Sequence, residues 1–475
     1  MRQGRKWFAF ATAAVMSLAA VFSACGGGDD GDYVGTLKIG YTRAGYGIEF
    51  AEAWTEAYNV AHPDAKINFD IDDSVEGGYI ASRLENNTEL CDIFMVMETG
   101  WSDWARSGWI EPLDDLMEME NDDGVLFGDA LRDEYVNFGL MDGKRYVLPQ
   151  SGPTPPGFAY DETFIRKLGL PDPQNIKTVD QLRDYVNKIN ALPVNTDKDT
   201  TNDVAPFAWG GMVAGYWNSP VMTWWAQYDG YDKVKAFYDM ETVDVYRQRE
   251  GLKKALDLFR EFSVTGEGVP KNAMNQAMSM NHVRMQNAFI LNKAVFMVGV
   301  YGLQNETKKL ITEDQVLRMI YPPFIEGAKK KAGTDDYEKI MISEGQDFMF
   351  VPAKSENKDL AKKFLLWIST NDMCREYTKH ASFLAPYKYD MDNIEGVSRL
   401  SQDQIDVFKE IRMTGHIFSQ NPIVSQLQLL AWGNNTSPYA EMVLSNLSST
   451  EAINRAASFA ESQWSALQEK YFGKN

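Results

Sequence analysis

From about Val34 onward the chain alternates two hydrophobic rhythms. Leu37, Ile39 and Tyr41 alternate with other residues as a strand does; Phe50, Ala51, Trp54, Ala57 and Tyr58 then recur at helical spacing. His62-Pro63-Asp64 reads as a turn, and Ile67, Phe69 and Ile71 alternate again. Ile80, Arg83 and Leu84 carry a further helix, and Asp92-Ile93-Phe94-Met95-Val96 is a near-continuous apolar run of the kind buried on both faces. Strands alternating with helices predict an α/β fold with a mostly parallel sheet. Downstream, Thr178-Val179-Asp180-Gln181 has a capping-box pattern that opens a helix with Leu182, Tyr185, Val186 and Ile189 on one face. From Asn357, Leu360, Phe364, Trp367 and Ile368 form an apolar stripe opposite Lys358, Lys362 and Lys363, and a strand is expected over Phe348 to Val351. The last helix aligns Ile453, Ala457, Ala460, Trp464, Leu467 and Tyr471. On such stripes Trp367 and Trp464 read as core.

The first residues follow a different pattern. Arg2, Arg5 and Lys6 precede an apolar run from Trp7 to Phe22, then Ser23-Ala24-Cys25 and a Gly-Gly-Gly-Asp-Asp tract. The run is short for a membrane span and fits a secretory signal over residues 1–24. Phe22-Ser23-Ala24-Cys25 resembles a bacterial lipobox, with Phe22 where Leu is preferred. The resemblance implies cleavage before Cys25, lipidation of Cys25, and residues 25–35 as a flexible tether between membrane and body. No later apolar run approaches spanning length.

Charge narrows the partners. The formal net charge is -20, and removing the three cations of residues 1–24 takes it to -23. Such a surface repels polyanions, so nucleic acid is not expected as a partner. A length of 475 residues exceeds what one core supports, which predicts two lobes. If Cys25 is lipidated, Cys91 and Cys374 remain, either as one disulfide or as two buried thiols.

Most catalytic chemistry finds no local support. His62, His282, His380 and His416 are scattered, with no metal-ligand spacing, and no phosphate-binding glycine loop is present, so neither metal nor cofactor is expected. Asn195, Asp197, Asp199 and Asn202 begin like a calcium loop, but Thr200 and Pro206 stand where Gly and Glu are needed, so this reads as a polar surface loop. Carboxylates are plentiful, yet no motif singles out an acid and base pair for glycoside hydrolysis. The positive signal is aromatic: Trp101, Trp104, Trp209, Trp217, Trp224 and Trp225, many beside Gly or Pro breaks. Loop-borne rings stack on sugar C–H faces while nearby acids bond hydroxyls; the competing reading is that half or more of these rings are core.

Several short segments then fall into a known order. Leu37 to Tyr41 is similar to the opening strand of the family 1 extracellular solute-binding proteins of ABC importers, the group containing the maltodextrin-binding type. Leu90-Cys91-Asp92-Ile93-Phe94 resembles its "P-D-V-F" strand with Cys91 replacing Pro, and Gly108 to Leu113 its "G-x-L-x-P-L" turn. Gly143-Lys144-Arg145-Tyr146-Val147-Leu148-Pro149 resembles "G-K-x-Y-G-L-P" with Val147 replacing Gly. Tyr160 to Phe164, Leu168-Gly169-Leu170, Thr178 to Leu182, Asn292 to Tyr301 and Ser355 to Trp367 resemble further family segments in the same order.

The resemblance implies a two-lobed periplasmic-binding-protein-like fold with the ligand cleft between lobes. It places the N-lobe at 36–148 plus 303–355 and the C-lobe at 149–302 plus 356–475. Chain crossings are expected near Pro149, Tyr301 to Leu303 and Val351 to Ser355. Ligands in such folds sit outside the carboxyl ends of the strands. The loops there carry Arg43, Glu98, Trp101, Gln150, Trp209, Trp217, Tyr301, Glu344 and Asp347 as expected ligand contacts, with Tyr301 in the position of the family's cleft Trp and Trp217 at a helix start facing the cleft. The implied function is a membrane-anchored, monomeric, extracytoplasmic receptor that passes a sugar or oligosaccharide to ABC permease subunits. Two alternatives are a receptor for another polar solute, such as a polyamine, and a surface-anchored carbohydrate-active enzyme.

Overall fold

The structure, a computed structural model, describes residues 35–63, 67–73, 75, 79–97, 100–196, 203–239, 247, 249–263, 277–300, 302–343, 347–416 and 438–473. The signal, Cys25 and the expected tether as far as residue 34 lie outside them, and Gly35, placed at the end of the tether, begins the first strand. Strands β1 (Gly35–Tyr41), β2 (Ile67–Asp72) and β3 (Ile93–Met97) run parallel, with β1 between the other two. A small hairpin, β4 (Leu140–Met141) and β5 (Lys144–Arg145), leads into β6 (Leu148–Pro149). The chain then builds a second sheet from β7 (Phe158–Asp161), β8 (Ala205–Ala208), β9 (Ala294–Val298) and β10 (Leu317–Ile320), ordered β10-β7-β9-β8. Of the last three strands, β11 (Lys339–Ser343) pairs in parallel with β13 (Ile411–His416). Between them in sequence, β12 (Asp347–Phe350) returns to the first sheet, whose order is β2-β1-β3-β12-β6.

The period-2 rule explains how the first sheet carries two cores. Along β3, Ile93 and Met95 face the cluster of Phe50, Trp54, Phe364 and Tyr377, while Phe94 and Val96 face that of Ile80, Leu84, Trp104 and Phe350. The second sheet lies in a larger core in which Phe158, Phe207 and Phe296 meet four fully buried tryptophans, Trp209, Trp217, Trp224 and Trp225. The helices Val179–Asn190 and Ser449–Phe472 both start on complete capping boxes.

Three expectations need correction. The sheets are mixed, not mostly parallel: β12 is antiparallel to β3 and β6, and β7 is antiparallel to β9 and β10. Strands that re-enter a sheet from the other lobe are not bound by the same-sheet crossover that enforces parallel pairing. The lobe boundaries also move. Strand β10 sits in the second sheet, and the helices Lys358–Trp367 and Asn371–Ala381 bury Leu360, Phe364, Met373 and Cys374 in the first lobe, so 303–343 is not N-lobe and 356–387 is not C-lobe. The first crossing falls between β6 and β7. The second lies between β10 and β12, and the third between the helices Asn371–Ala381 and Arg399–Glu410, the latter tied to β10 by Asp403 on Arg318 at 2.7 Å.

The lobes touch most closely at two glycines. A Cβ on Gly45, just past β1, would lie 2.6 Å from the Cα of Gly302, which has φ +62° and precedes the helix Leu303–Thr307. In that helix Leu303 belongs to the second core, while Asn305 Nδ2 donates to the carbonyls of Tyr46 (2.7 Å), Ala381 (3.0 Å) and Gly45 (3.2 Å) in the first lobe. Cys91 and Cys374 are free and buried, which resolves the pairing in favour of two thiols; burial pushes the Cys91 thiol up to about 12.

Candidate functional site at the lobe-facing edge of the first sheet

The carboxyl ends of β1 and β6 and the start of β12 converge on one polar cluster. The backbone N–H of Gln150 donates to the Asp347 carbonyl at 3.1 Å, extending the β6–β12 ladder by one pair. Tyr46 sits where the chain turns after β1, its ring 4.4 Å from that of Phe383. Its hydroxyl donates to Asp347 Oδ2 and lies 3.1 Å from Ser151 Oγ. Tyr135 donates its hydroxyl to the Ser151 carbonyl at 2.8 Å. Loss of hydration at the Asp347 carboxyl pushes its pKa up to about 6 against the pull of the Tyr46 hydrogen bond. Burial, with Asp347 as a secondary cause, drives the Tyr46 hydroxyl well above its usual range; Tyr135 and Tyr377 rise for the same leading reason.

Two orphans stand beside this carboxyl. Gln150 is 2% exposed and neither its Oε1 nor its Nε2 has a hydrogen-bond partner; the Tyr377 hydroxyl is likewise buried and unpaired. Buried polar atoms are paired in most native sites, so these atoms are open to a partner. Around the rim, Arg43 is exposed and bound to Asp73 at 3.0 Å, and Thr42 donates to the Val75 carbonyl. On the second lobe, Glu306 accepts from Gln286 Nε2 and lies 3.5 Å from His282 Nε2.

Of the expected contacts, Arg43, Trp101, Gln150 and Asp347 fall at this edge, with Trp101 half-buried at the start of the helix Trp101–Arg106 after β3. Glu98, Tyr301 and Glu344 lie outside the described residues. Trp209 and Trp217 are corrected: each is 0% exposed in the second core, with Phe259 5.7 Å and 5.4 Å away respectively. Trp217 ends a short 3-10 segment, Gly211–Trp217, and Trp209 lies just before it, after β8; both rings fold inward. Tyr46 and Tyr135 were not anticipated; the Gly45-Tyr46 pair directly after the first strand was the available signal for Tyr46. Of the calcium-loop-like set, Asn195 donates to the Ile189 and Val204 carbonyls at 2.8 Å and accepts from Val204 N–H at 2.7 Å; Asp197, Asp199 and Asn202 lie outside the described residues. Among the described residues no cluster of metal-ligating side chains occurs, and no helix is long and apolar enough to cross a membrane.

The bacterial extracellular solute-binding protein family model matches residues 44–373, most of the chain. The chain belongs to this family. As a solute-binding protein it has solved structural neighbours throughout its length. Maltose-bound MalE3 of T. maritima aligns with TM-score 0.62 at 13% identity, over 90% of this chain and 99% of that one. The substrate-binding protein Lmo0181 of Listeria monocytogenes, in complex with cycloalternan, aligns with TM-score 0.60 at 12% identity, over 91% and 99%. RafE in complex with raffinose gives 0.58 at 14% identity, over 90% and 99%. These likenesses establish the two-lobed fold. No curated protein matches the chain in sequence.

Proposed function

We propose that this solute-binding protein is a lipid-anchored extracytoplasmic receptor that captures a carbohydrate between its lobes and delivers it to an ABC permease, acting as a monomer and without catalysis. The observation that carries this reading is the unpaired polar edge around Gln150 and Asp347, set in a fold whose neighbours hold maltose, raffinose and cycloalternan. Arg43 and Trp101 supply a cation and a ring on the same edge; Glu98, Tyr301 and Glu344 complete the proposed contacts. Cys25 carries the anchor. Ligand contacts that exist only when the lobes are together drive them to close.

A thermal-shift screen against mono- and oligosaccharides, polyamines and amino acids tests this. A ligand at a hundred times its dissociation constant adds about 2.7 kcal/mol, which is a rise of a few degrees for a body of this size. A sugar hit accompanied by compaction in small-angle scattering supports the receptor. A shift with spermidine and none with sugars replaces sugar by polyamine, and glycan turnover replaces receptor by enzyme.

A further inference from the structure

We infer that Asp347 and Gln150 together read two neighbouring hydroxyls of the bound sugar, with Met97 beneath its C–H face and Tyr46 as the positioning residue for Asp347. This deepens the carbohydrate reading and rests on it. The geometry is one row across the end of the first sheet. Met97 is paired with Asp347 in the β3–β12 register, and Gln150 continues the β6–β12 register opposite the same Asp347. Residues directly opposite on antiparallel strands point to one face with their Cβ atoms about 5 Å apart, so carboxyl and amide converge on a target the size of a vicinal diol.

The bonding capacity fits that target. Asp347 Oδ2 is taken by Tyr46, while no hydrogen bond reaches Oδ1 among the described residues. Gln150 offers one acceptor and two donors, none of them used. A hydroxyl both donates and accepts, so two adjacent hydroxyls satisfy a carboxylate and an amide at once; a polyamine would satisfy the carboxylate and leave the Gln150 donors unmatched. Met97 is a large apolar residue 48% exposed at the end of this row, an adaptable thioether where the buried tryptophans provide no open ring. Tyr46 is 2% exposed, packed on Phe383, and reaches the ligand only through the carboxyl it holds.

The test is isothermal titration of the protein with maltose, raffinose and D-galactose, then with single-deoxy analogues of the tightest binder. D347N and Q150L, each near-isosteric, are expected to weaken binding about tenfold to a hundredfold while the free proteins melt no lower than wild type. Removing one of the two hydroxyls should weaken wild type by a similar factor and leave Q150L or D347N nearly unaffected. Y46F should weaken binding at pH 7.5, but less than D347N does. Its loss of affinity on acidification should begin at higher pH, because the hydroxyl that favours the ionised carboxyl is gone. Around Asp347 the other groups do not interfere: Tyr41, Tyr135 and Tyr377 are pushed upward by burial, Lys308 holds Glu49 at about 2, and Arg43 is bound to Asp73. Sugar binding undiminished in Q150L and D347N, or losses that simply add to those of the deoxy sugars, overturns this inference and leaves the receptor standing. An unmoved pH profile in Y46F overturns the role of Tyr46. Wild type that binds no sugar overturns the carbohydrate reading and this inference with it.

Discussion

At the scale of single residues, burial decides which aromatic and acidic groups serve structure and which are available for binding. Trp217 touches Phe158, Phe207, Trp224 and Phe259 at ring separations of 5.4 to 6.3 Å, so Trp217→Ala should destabilise the fold by about 3–5 kcal/mol in urea denaturation. A ligand platform would instead lose affinity and keep its stability. Asp347 gives the opposite sign. Its pKa of about 6 exceeds the ordinary 3.8, so the stabilising contribution of the neutral acid is complete below pH 4 and is lost as pH rises through 6. Asp347→Asn removes this loss; relative to wild type it should gain nothing at pH 4 and up to about 3 kcal/mol at pH 7.5, again in urea. Sequence put Arg43, Gln150 and Asp347 beside strand ends, and the structure has Arg43 and Gln150 just past β1 and β6 and Asp347 at the start of β12, because strand periodicity fixes where a strand stops. It misplaced Trp209 and Trp217 because a glycine beside a ring signals a break in the backbone but not the direction in which the ring then points. It missed Tyr46 because nothing in a one-dimensional pattern shows that a tyrosine near the start of the chain meets an aspartate hundreds of residues later.

At the scale of elements, the short helix Leu303–Thr307 is the joint. Asn305→Ala strips four lobe-one carbonyls of a shared donor, two of them on the turn that carries Tyr46. The expected result is a loss of about 1–3 kcal/mol and faster amide exchange around residues 45–46, read by hydrogen exchange mass spectrometry. Capping is easier to foresee. Ser448 accepts from the N–H of Glu451 and Glu451 reaches back to Ser448 N–H, so Ser448→Ala should cost about 1 kcal/mol in the same urea assay. The helices with clear stripes and caps were legible because local periodicity and end chemistry suffice to specify them. The edge strand β6 and the ribbon β11–β13 were not: two residues carry no period, and pairing between segments about 70 residues apart leaves no local trace.

For the whole molecule, the chain passes between lobes three times, and this is where sequence reading fell short. The order of family segments revealed two lobes, yet a segment's membership is settled by which core its apolar face enters. The helices Lys358–Trp367 and Asn371–Ala381 have faces that fit either core on hydrophobicity alone. Their burial in the first lobe has a chemical readout. Cys374, 0% exposed on the second of these helices, and Cys91, at 1%, should both resist iodoacetamide in the native protein and react only after denaturation, as peptide mapping would show.

The concentration of indoles in the two interiors has an optical consequence. Among the described residues, Trp54, Trp104, Trp209, Trp217, Trp224, Trp225 and Trp367 are buried, while Trp101, Trp109 and Trp464 are half-buried, Trp101 at the lobe-facing edge. Intrinsic emission is therefore dominated by chromophores shielded from solvent and from dissolved quenchers. It will shift strongly to the red on unfolding and change little when a solute enters between the lobes. A flat fluorescence titration of this receptor would reflect where its light comes from, and affinity has to be followed by heat, by melting temperature or by a dye attached near Trp101.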